Sequence, residues 1–165
     1  MKKITVILFL YSISYLNGQE GDNSPSFLFE KIKADGETEP VRSSGDAADD
    51  IAIWVNPNNH DQTIIVGTDK KWGLVSYNLN GEILSEAMIG KINNVDVLPL
   101  IKTKNKITFP IICSSNRSDN SVIFHRLYPN GKLQALDEYK FFPDLKEVYG
   151  ICFYEDNDHI YLFVS

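Results

Sequence analysis

Two Asn-Gly dipeptides, Asn80-Gly81 and Asn130-Gly131, lie about one structural repeat apart, and each closes the third of four short strand-like runs. An Asn-Gly pair is the strongest short-range signal for a two-residue β-hairpin turn, because both residues tolerate a positive φ. The residues after the two turns are also similar, Glu82-Ile83-Leu84 against Lys132-Leu133-Gln134. These features constrain the chain to a repeated antiparallel β structure.

Short strand-like runs recur around these turns. The first set is predicted to be Ala52–Val55, Thr63–Gly67, Leu74–Leu79 and Glu82–Ile89, and the second Val95–Leu98, Ile111–Cys113, Val122–Leu127 and Leu133–Tyr139. A third set opens with Tyr149–Tyr154 and Ile160–Val164. Four strands recurring at this period are typical of the blades of a β-propeller. We therefore predict an all-β propeller chain of about two and a half four-stranded blades, with a β-sandwich of about seven to nine strands as the alternative.

The N-terminal residues differ in composition from the rest. Lys2 and Lys3 precede an apolar run from Ile4 to Leu16, and Gly18 follows it. This order is typical of a secretory signal peptide, with an uncleaved anchor as the alternative. We predict a secreted or periplasmic protein with a signal peptide over 1–18, a lead-in segment over 19–45 and an incomplete propeller domain over 46–165.

Charge narrows the classes of partner. The net charge is −6, and removing residues 1–18 takes away two lysines and no acid, which makes it −8. A negative surface repels nucleic acid and attracts divalent cations. We predict no nucleic-acid partner. We also predict no membrane span in the mature form, because the apolar run is shorter than the roughly 20 residues that a spanning helix needs.

The cysteines Cys113 and Cys152 both lie in apolar strand-like runs. An exported protein could pair them in a disulfide, whereas buried free thiols are common in protein cores. The pattern favours two buried free thiols and leaves the disulfide open.

Acidic and amide residues cluster where the first strand of each unit begins. Asp49 and Asp50 precede unit one, and Asn94, Val95 and Asp96 open unit two. First strands of propeller blades line the central channel, so these clusters are expected to converge at one end of it. Their carboxylate, amide and backbone oxygens suit Ca²⁺, which takes about 6–8 oxygen ligands. The alternative is a set of Asx turns that only lead into the strands.

Basic residues occupy the loops between the second and third strands. Lys70 and Lys71 lie in this loop of unit one, and Arg117 lies in the same loop of unit two. Equivalent repeat positions are expected to fall on the same face. Arginine offers phosphate a planar fork and lysine a point charge, so this face could bind a phosphorylated substrate. The alternative is that these are solvated loop charges.

Five segments, in order, resemble successive motifs of the β-propeller phytases. They are Asp46-Ala47-Ala48-Asp49-Asp50-Ile51-Ala52-Ile53-Trp54, Gly67-Thr68-Asp69-Lys70-Lys71-Trp72-Gly73-Leu74, Asn93-Asn94-Val95-Asp96, Ser115-Asn116-Arg117-Ser118 and Glu147-Val148-Tyr149-Gly150. The resemblance covers roughly residues 40–165. Five motifs in the family's order make it far more specific than any one of them.

This resemblance implies a fold and a reaction. The fold is a six-bladed propeller with Ca²⁺ ions at the top of the channel. The activity is that of a 3-phytase-type phosphoric monoester hydrolase, which takes phytate as its calcium complex and yields lower inositol phosphates. Water activated by calcium attacks phosphorus directly, without a phospho-enzyme. The sequence agrees in containing no nucleophile-elbow motif.

The resemblance also implies residue roles. Asp49 binds an active-site calcium, and Asp50 holds a structural calcium with backbone oxygens near Asn94 and Val95. Asp96 is included in the same predicted metal site.

The phosphate-binding roles fall on the remaining motifs. Lys70, Lys71 and Arg117 are expected to grip phosphate, and Tyr149 to donate a hydrogen bond to it. These four residues form the predicted catalytic set.

Two departures from the family pattern are visible. Ile51 stands where the family usually has proline, and the family continues past Ser165 into further blades that supply more calcium ligands. We therefore expect residues 19–165 alone to be weakly active or inactive.

Two other function classes stay open. One is a non-catalytic module that binds calcium or phosphate and pairs with the remaining blades or with a complete phytase domain. The other is a sugar lactonase-type propeller, which the paired Lys70-Lys71 and Arg117 disfavour because a neutral sugar needs no cationic cluster.

Overall fold

The structure is a computed structural model that describes residues 33–99, 109–156 and 159–165. Within these ranges the chain forms ten strands in three antiparallel sheets, together with two short 3-10 helices. None of the helices in these ranges is long and apolar enough to cross a bilayer. The predicted signal peptide lies outside the described residues, and the predicted lead-in is described from Lys33 onward.

The strands follow the chain in three groups. The first sheet contains β1 (Ala48–Trp54), β2 (Ile64–Asp69), β3 (Gly73–Tyr77) and β4 (Ile83–Met88). The second contains β5 (Ile92–Leu98), β6 (Ile111–Asn116), β7 (Ser121–Leu127) and β8 (Leu133–Ala135). The third contains β9 (Ile151–Glu155) and β10 (Ile160–Val164). The 3-10 helices are His60–Gln62 and Asp137–Tyr139.

Each four-stranded sheet has its strands hydrogen-bonded in chain order, so each is an up-and-down meander. Two such meanders and two strands of a third match the predicted blades, and the all-β propeller prediction is confirmed. The sandwich alternative is wrong, because the strands form separate meanders rather than two Greek-key sheets. We refer to the three sheets as blades 1, 2 and 3.

The blades are held together by two apolar clusters. The first joins blade 1 to blade 2 and includes Leu74, Val66, Ile92 and Ile112, all fully buried. The second joins blade 2 to blade 3. Burying one such side chain contributes about 1.5–3 kcal/mol, so face-to-face stacking of the blades is the main source of stability in the described part.

Both predicted Asn-Gly turns are present, with Gly81 at φ 82° and Gly131 at φ 84°. A Cβ on Gly131 would lie 2.6 Å from Cδ1 of Leu84, which belongs to blade 1. The Gly131 carbonyl also accepts a 2.7 Å hydrogen bond from the buried hydroxyl of Ser76 in β3. Glycine is therefore needed both for the turn and for the close docking of this turn on the neighbouring blade.

The eighth strand is shorter than predicted. The ladder with β7 continues only through β8, and the predicted extension to Tyr139 is wrong because a 3-10 helix begins at Asp137. Asp137 and Glu138 have low β propensity, which favours leaving the ladder there. The chain rejoins β7 in a single bridge between Phe141 and Val122.

The two cysteines differ in environment. Both are free thiols, and Cys113 is buried as predicted, which raises the pKa of its thiol well above the ordinary value. The predicted burial of Cys152 is wrong. Ile151 and Phe153, its neighbours on β9, pack against the second apolar cluster. Cys152 therefore points to the opposite face, because successive strand residues alternate.

Candidate functional site

A β-bulge interrupts the first strand of each complete blade. The pairing of β1 with β2 shifts between Ala48 and Ile51, and that of β5 with β6 shifts between Ile92 and Val95. The strands thus begin before the acidic and amide residues, so the prediction that Asp49 and Asp50 precede β1 is wrong. Bulges re-aim side chains, and here they take these residues out of the regular pleat.

The register makes the two bulges equivalent. Ile51 pairs with Gly67 and Val95 pairs with Ser114, each two residues before the end of the second strand of its blade. Asp50 therefore corresponds to Asn94, and Asp49 corresponds to Asn93. Matching positions in successive blades lie at the same edge, as the sequence predicted.

Asp50 binds the bulge of the next blade. Its Oδ2 accepts hydrogen bonds from Asn94 Nδ2 and from the Val95 N–H, both at 3.1 Å. Its Oδ1 accepts a 2.9 Å bond from the Ile51 N–H. The structure thus brings together three of the predicted metal ligands, Asp50, Asn94 and Val95.

Asp96 makes a parallel contact one blade further on. Its Oδ2 accepts a 2.6 Å hydrogen bond from the Phe153 N–H in β9, and its Oδ1 accepts a 2.7 Å bond from the Val97 N–H. The carboxylate therefore joins blade 2 to blade 3, whereas Asp50 joins blade 1 to blade 2. The structure does not place Asp96 in the hydrogen-bonded group around Asp50.

The donors around Asp50 suit a hard cation in kind. The carboxylate oxygens of Asp49 and Asp50 are of the type that Ca²⁺ prefers. Asn94 instead turns its Nδ2 towards Asp50, while its Oδ1 accepts a 3.0 Å hydrogen bond from Asn93 Nδ2. In the described part of the chain, no three His, Cys, Asp or Glu side chains gather closely enough to hold a metal ion. The two carboxylates therefore account for only part of a calcium shell.

Lys70 and Arg117 also hold equivalent positions. Each directly follows the last residue of the second strand, and each backbone N–H donates a 2.8 Å hydrogen bond, to the carbonyl of Ala47 and of Lys91 respectively. In an antiparallel pair the end of the second strand adjoins the start of the first. The cations and the bulges therefore share one edge of the blades.

Lys70 forms ion pairs with two acids at this edge. Its Nζ lies 2.7 Å from Asp46 Oδ1 and 3.4 Å from Asp49 Oδ1. The hydrogen bond with Asp46 is the main cause that raises the pKa of Lys70, and the same bond lowers the pKa of Asp46. A predicted phosphate ligand and a predicted calcium ligand thus lie in direct contact.

Lys71 points elsewhere in the same loop. Its Nζ donates a 2.7 Å hydrogen bond to the carbonyl of Ser44 in the lead-in. The loop is shaped by the buried Asp69, whose carboxylate accepts bonds from the N–H groups of Lys71 and Ser43.

Arg117 sits between blades 2 and 3. Its Nε donates a 2.6 Å hydrogen bond to Glu147 Oε1, and its Nη1 lies 3.4 Å from Asn93 Oδ1. The guanidinium carbon lies 5.3 Å from the centre of the Tyr149 ring, a cation–π contact. Two predicted phosphate ligands, Arg117 and Tyr149, are therefore adjacent.

One protein family matches almost the whole chain in sequence. The family model described as Phytase matches residues 2–164. The chain belongs to the phytase family.

A curated relative gives the extent of the match. The 3-phytase of Bacillus subtilis (strain 168) is 37% identical over 132 residues, which cover 75% of this chain and 34% of that protein. The chain thus spans about a third of the length of this phytase relative. The resemblance drawn from five motifs is confirmed at the level of the family.

Sequence reasoning missed four residues of this phytase edge. Asp46 and Glu147 were visible only as members of motifs, and Thr68 and Ser115 were given no role, although their hydroxyls are buried between blades. The two hydroxyl residues could have been found from the repeat. A hydroxyl residue stands two places before the basic residue in both Thr68-Asp69-Lys70 and Ser115-Asn116-Arg117.

Proposed function

We propose that the protein is a phytase that hydrolyses phosphate monoesters of phytate, taken as its calcium complex, to lower inositol phosphates. The observation that carries the proposal is the contact of the equivalent cations Lys70 and Arg117 with the first-strand bulges that hold the acidic and amide residues. Membership of the phytase family supports the same function.

Arg117 is prepared to bind a phosphate group. Glu147 engages its Nε and the Tyr149 ring lies beside the guanidinium, so the side chain is restrained before any ligand arrives. Nη1 has only a long 3.4 Å contact with Asn93 Oδ1, so the Nη groups can turn to phosphate oxygens, which match the spacing of a guanidinium fork. The Tyr149 hydroxyl can donate a further hydrogen bond to the same group.

A phosphate group can displace the carboxylates that pair with Lys70 and Arg117. Asp46 is 86% exposed and Glu147 is 52% exposed, so their ion pairs with Lys70 and Arg117 are worth only about 0–1 kcal/mol. A phosphate dianion carries more charge than one carboxylate. It can therefore displace Asp46 from Lys70 at little cost, while Lys71 lies in the same loop.

Asp49, Asp50, Asn94 and Val95 are the residues proposed to hold calcium, and Asp96 is left out because its carboxylate binds the Phe153 N–H of blade 3. When bound there, Ca²⁺ would neutralise phosphate charge and lower the pKa of a coordinated water. Asp49 links the two halves of the site, because its carboxylate already lies 3.4 Å from Lys70 Nζ. The chain's own part in the reaction is to hold phosphate and to orient it for direct attack by water.

The test uses the whole gene product, purified and assayed for phosphate release from phytate with and without calcium. We expect turnover that needs calcium, is lost in Arg117→Ala and is kept in Lys132→Ala. Lys132 is a matched control, because it lies at the β7–β8 turn, at the other end of β7 from the Arg117 loop. Binding of phytate without turnover would instead support the non-catalytic module.

We also propose export to the periplasm or the medium, on the basis of Lys2, Lys3 and the apolar run that follows them. N-terminal sequencing of the exported protein should begin near Gln19. Intact Met1 on protein from the cytosol would contradict export without bearing on the reaction.

A further inference from the structure

Two buried hydroxyls bridge successive blades in the same way. Thr68 Oγ1 accepts a 2.9 Å hydrogen bond from the Asp50 N–H and lies 3.1 Å from the Asn93 carbonyl of the next blade. Ser115 Oγ accepts a 3.1 Å bond from the Asn94 N–H and donates a 2.7 Å bond to the Tyr149 carbonyl. Each hydroxyl therefore ties the bulge of its own blade to the first-strand segment of the following one.

The geometry points to a shared purpose for these hydroxyls. Thr68 and Ser115 are fully buried and equivalent in register, so they touch neither solvent nor a substrate. The Thr68 proton has a second acceptor, the Asp50 carbonyl at 3.3 Å, but the bond to Asn93 is shorter. A valine would fill the space of Thr68 and would make neither bond.

The two bridges end on different halves of the proposed site. The Thr68 bridge ends at Asn93, next to the Asn94 and Val95 groups that bind the Asp50 carboxylate. The Ser115 bridge ends at Tyr149, whose ring lies beside Arg117. The Thr68 bridge thus joins segments that carry metal ligands. The Ser115 bridge joins the phosphate ligand Tyr149 to the backbone N–H of the metal ligand Asn94.

We propose that Thr68 and Ser115 are positioning residues, Thr68 for the calcium ligands Asp50, Asn94 and Val95 and Ser115 for the phosphate ligand Tyr149 beside Arg117. This inference rests on the proposed function. It assigns the two hydroxyls to different binding functions. A hydroxyl that only stabilised the fold would affect calcium and phosphate binding together.

The experiment compares Thr68→Val and Ser115→Ala with the conservative variants Thr68→Ser and Ser115→Thr in the whole gene product. Calcium affinity is measured by calorimetry without substrate, and phosphate affinity by competitive inhibition with inorganic phosphate at saturating calcium. We expect Thr68→Val to weaken calcium binding about tenfold, the effect of losing a hydrogen bond that orients a metal ligand. Ser115→Ala should weaken phosphate binding by about tenfold, the effect of losing one buried hydrogen bond. Thr68→Val should leave phosphate affinity within about twofold, and the conservative variants should restore both constants. Ser115→Ala should weaken phosphate binding more than calcium binding, although it also removes the acceptor of the Asn94 N–H.

The outcomes separate this inference from the function on which it rests. An inactive wild-type protein that binds neither calcium nor phosphate overturns the proposed function, and the inference falls with it. An active wild-type protein in which each variant moves both constants equally, or moves neither, overturns the inference alone. Should Thr68→Val not fold, Ser115→Ala still decides, because it removes one oxygen and leaves only a small gap.

Discussion

Lys70 and Arg117 are equivalent residues of successive blades, and the backbone N–H of each donates a 2.8 Å hydrogen bond to the segment that begins its own blade. Their side chains differ in partner: Lys70 contacts acids of blade 1, whereas Arg117 reaches blade 3 through Glu147. A repeat has thus placed one cation within a blade and another across a blade boundary. The predictions below start from this asymmetry.

Arg117 is expected to contribute to turnover through the planar shape of its guanidinium group as well as through its charge. Arg117→Ala should lower kcat/KM for calcium phytate about a hundredfold, and Arg117→Lys should recover only part of the loss, because lysine lacks the planar fork. Steady-state kinetics beside Lys132→Ala provide the measurement. Equal activity of the Arg117→Lys variant and the wild type would contradict a fork-specific role.

Asp50 is expected to couple calcium to stability. Calcium should raise the melting temperature of the whole protein, since a ligand that binds only the folded state stabilises it. Asp50→Asn should remove most of that gain. Asp61→Asn, at an exposed acid near the other end of β1, should keep it. A melting curve that neither calcium nor EDTA moves would rule out the calcium site.

Gly131 is expected to be more sensitive to substitution than an open glycine. Gly131→Ala should destabilise the protein by about 2 kcal/mol or more. Alanine would have to adopt the left-handed φ of this position, and its Cβ would clash with the Leu84 side chain. Gly36→Ala is the control, since nothing lies within 4 Å of its Cβ position. Urea unfolding of both variants measures the difference, and similar midpoints would refute it.

His125 is expected to make stability depend on pH. Burial lowers its pKa from 6.5 to about 4, partly offset by Asp137, and its Nδ1 has no hydrogen-bond partner among the described residues. Since the unfolded chain takes up the proton first, this contribution is complete above about pH 6.5 and is lost as pH falls towards about 4. The loss amounts to at most a few kcal/mol.

The measurement for His125 is urea unfolding at pH 7 and pH 4.5. The wild type should lose more stability between these values than His125→Gln, which cannot be protonated. Carboxylates titrate in both proteins, so only the difference between the two pH dependences reports on His125. Parallel curves would show that the imidazole is not responsible.

Residues 19–165 alone are expected to hydrolyse calcium phytate poorly. On β1, Ile51 is 61% exposed and Ile53 is 51% exposed, so one face of blade 1 presents apolar side chains to water. An uncovered face leaves the bulge less rigid, and a shift of about 1 Å at a reacting centre can cost about a hundredfold in rate. Robust phosphate release by purified residues 19–165 that is abolished by Arg117→Ala would contradict the expectation.

The sequence predicted the features of the fold that depend on neighbouring residues in the chain. Asn80-Gly81 and Asn130-Gly131 form their turns because glycine accepts the positive φ wherever the turn lies, and the repeated turns located the blades. Arg117 and Tyr149 were assigned to one phosphate group by the family resemblance, and the structure places them next to each other.

Contacts between blades could not be read in this way. The bulges at Asp50 and Asn94 depend on the register with the second strand, and the hydroxyl bridges of Thr68 and Ser115 depend on the stacking of whole blades. The exposure of Cys152 has a similar cause. The packing of β9 against blade 2 determines which face of the strand is buried, and the apolar residues next to Cys152 in sequence do not.

The bond from Ser76 to the Gly131 carbonyl orders events during synthesis of the chain. Blade 1 can pair its four strands once Met88 has been made, and the Ser76 hydroxyl then has a long 3.3 Å contact with the Ser85 carbonyl of β4. The shorter 2.7 Å bond to Gly131 forms only after the second Asn-Gly turn has left the ribosome. Until then the face of β3 that bears Ser76 lacks the Gly131 turn that covers it in the finished fold. Blade 1 therefore reaches its final packing only when most of blade 2 has been synthesised, so adjacent blades complete their folding in overlapping pairs.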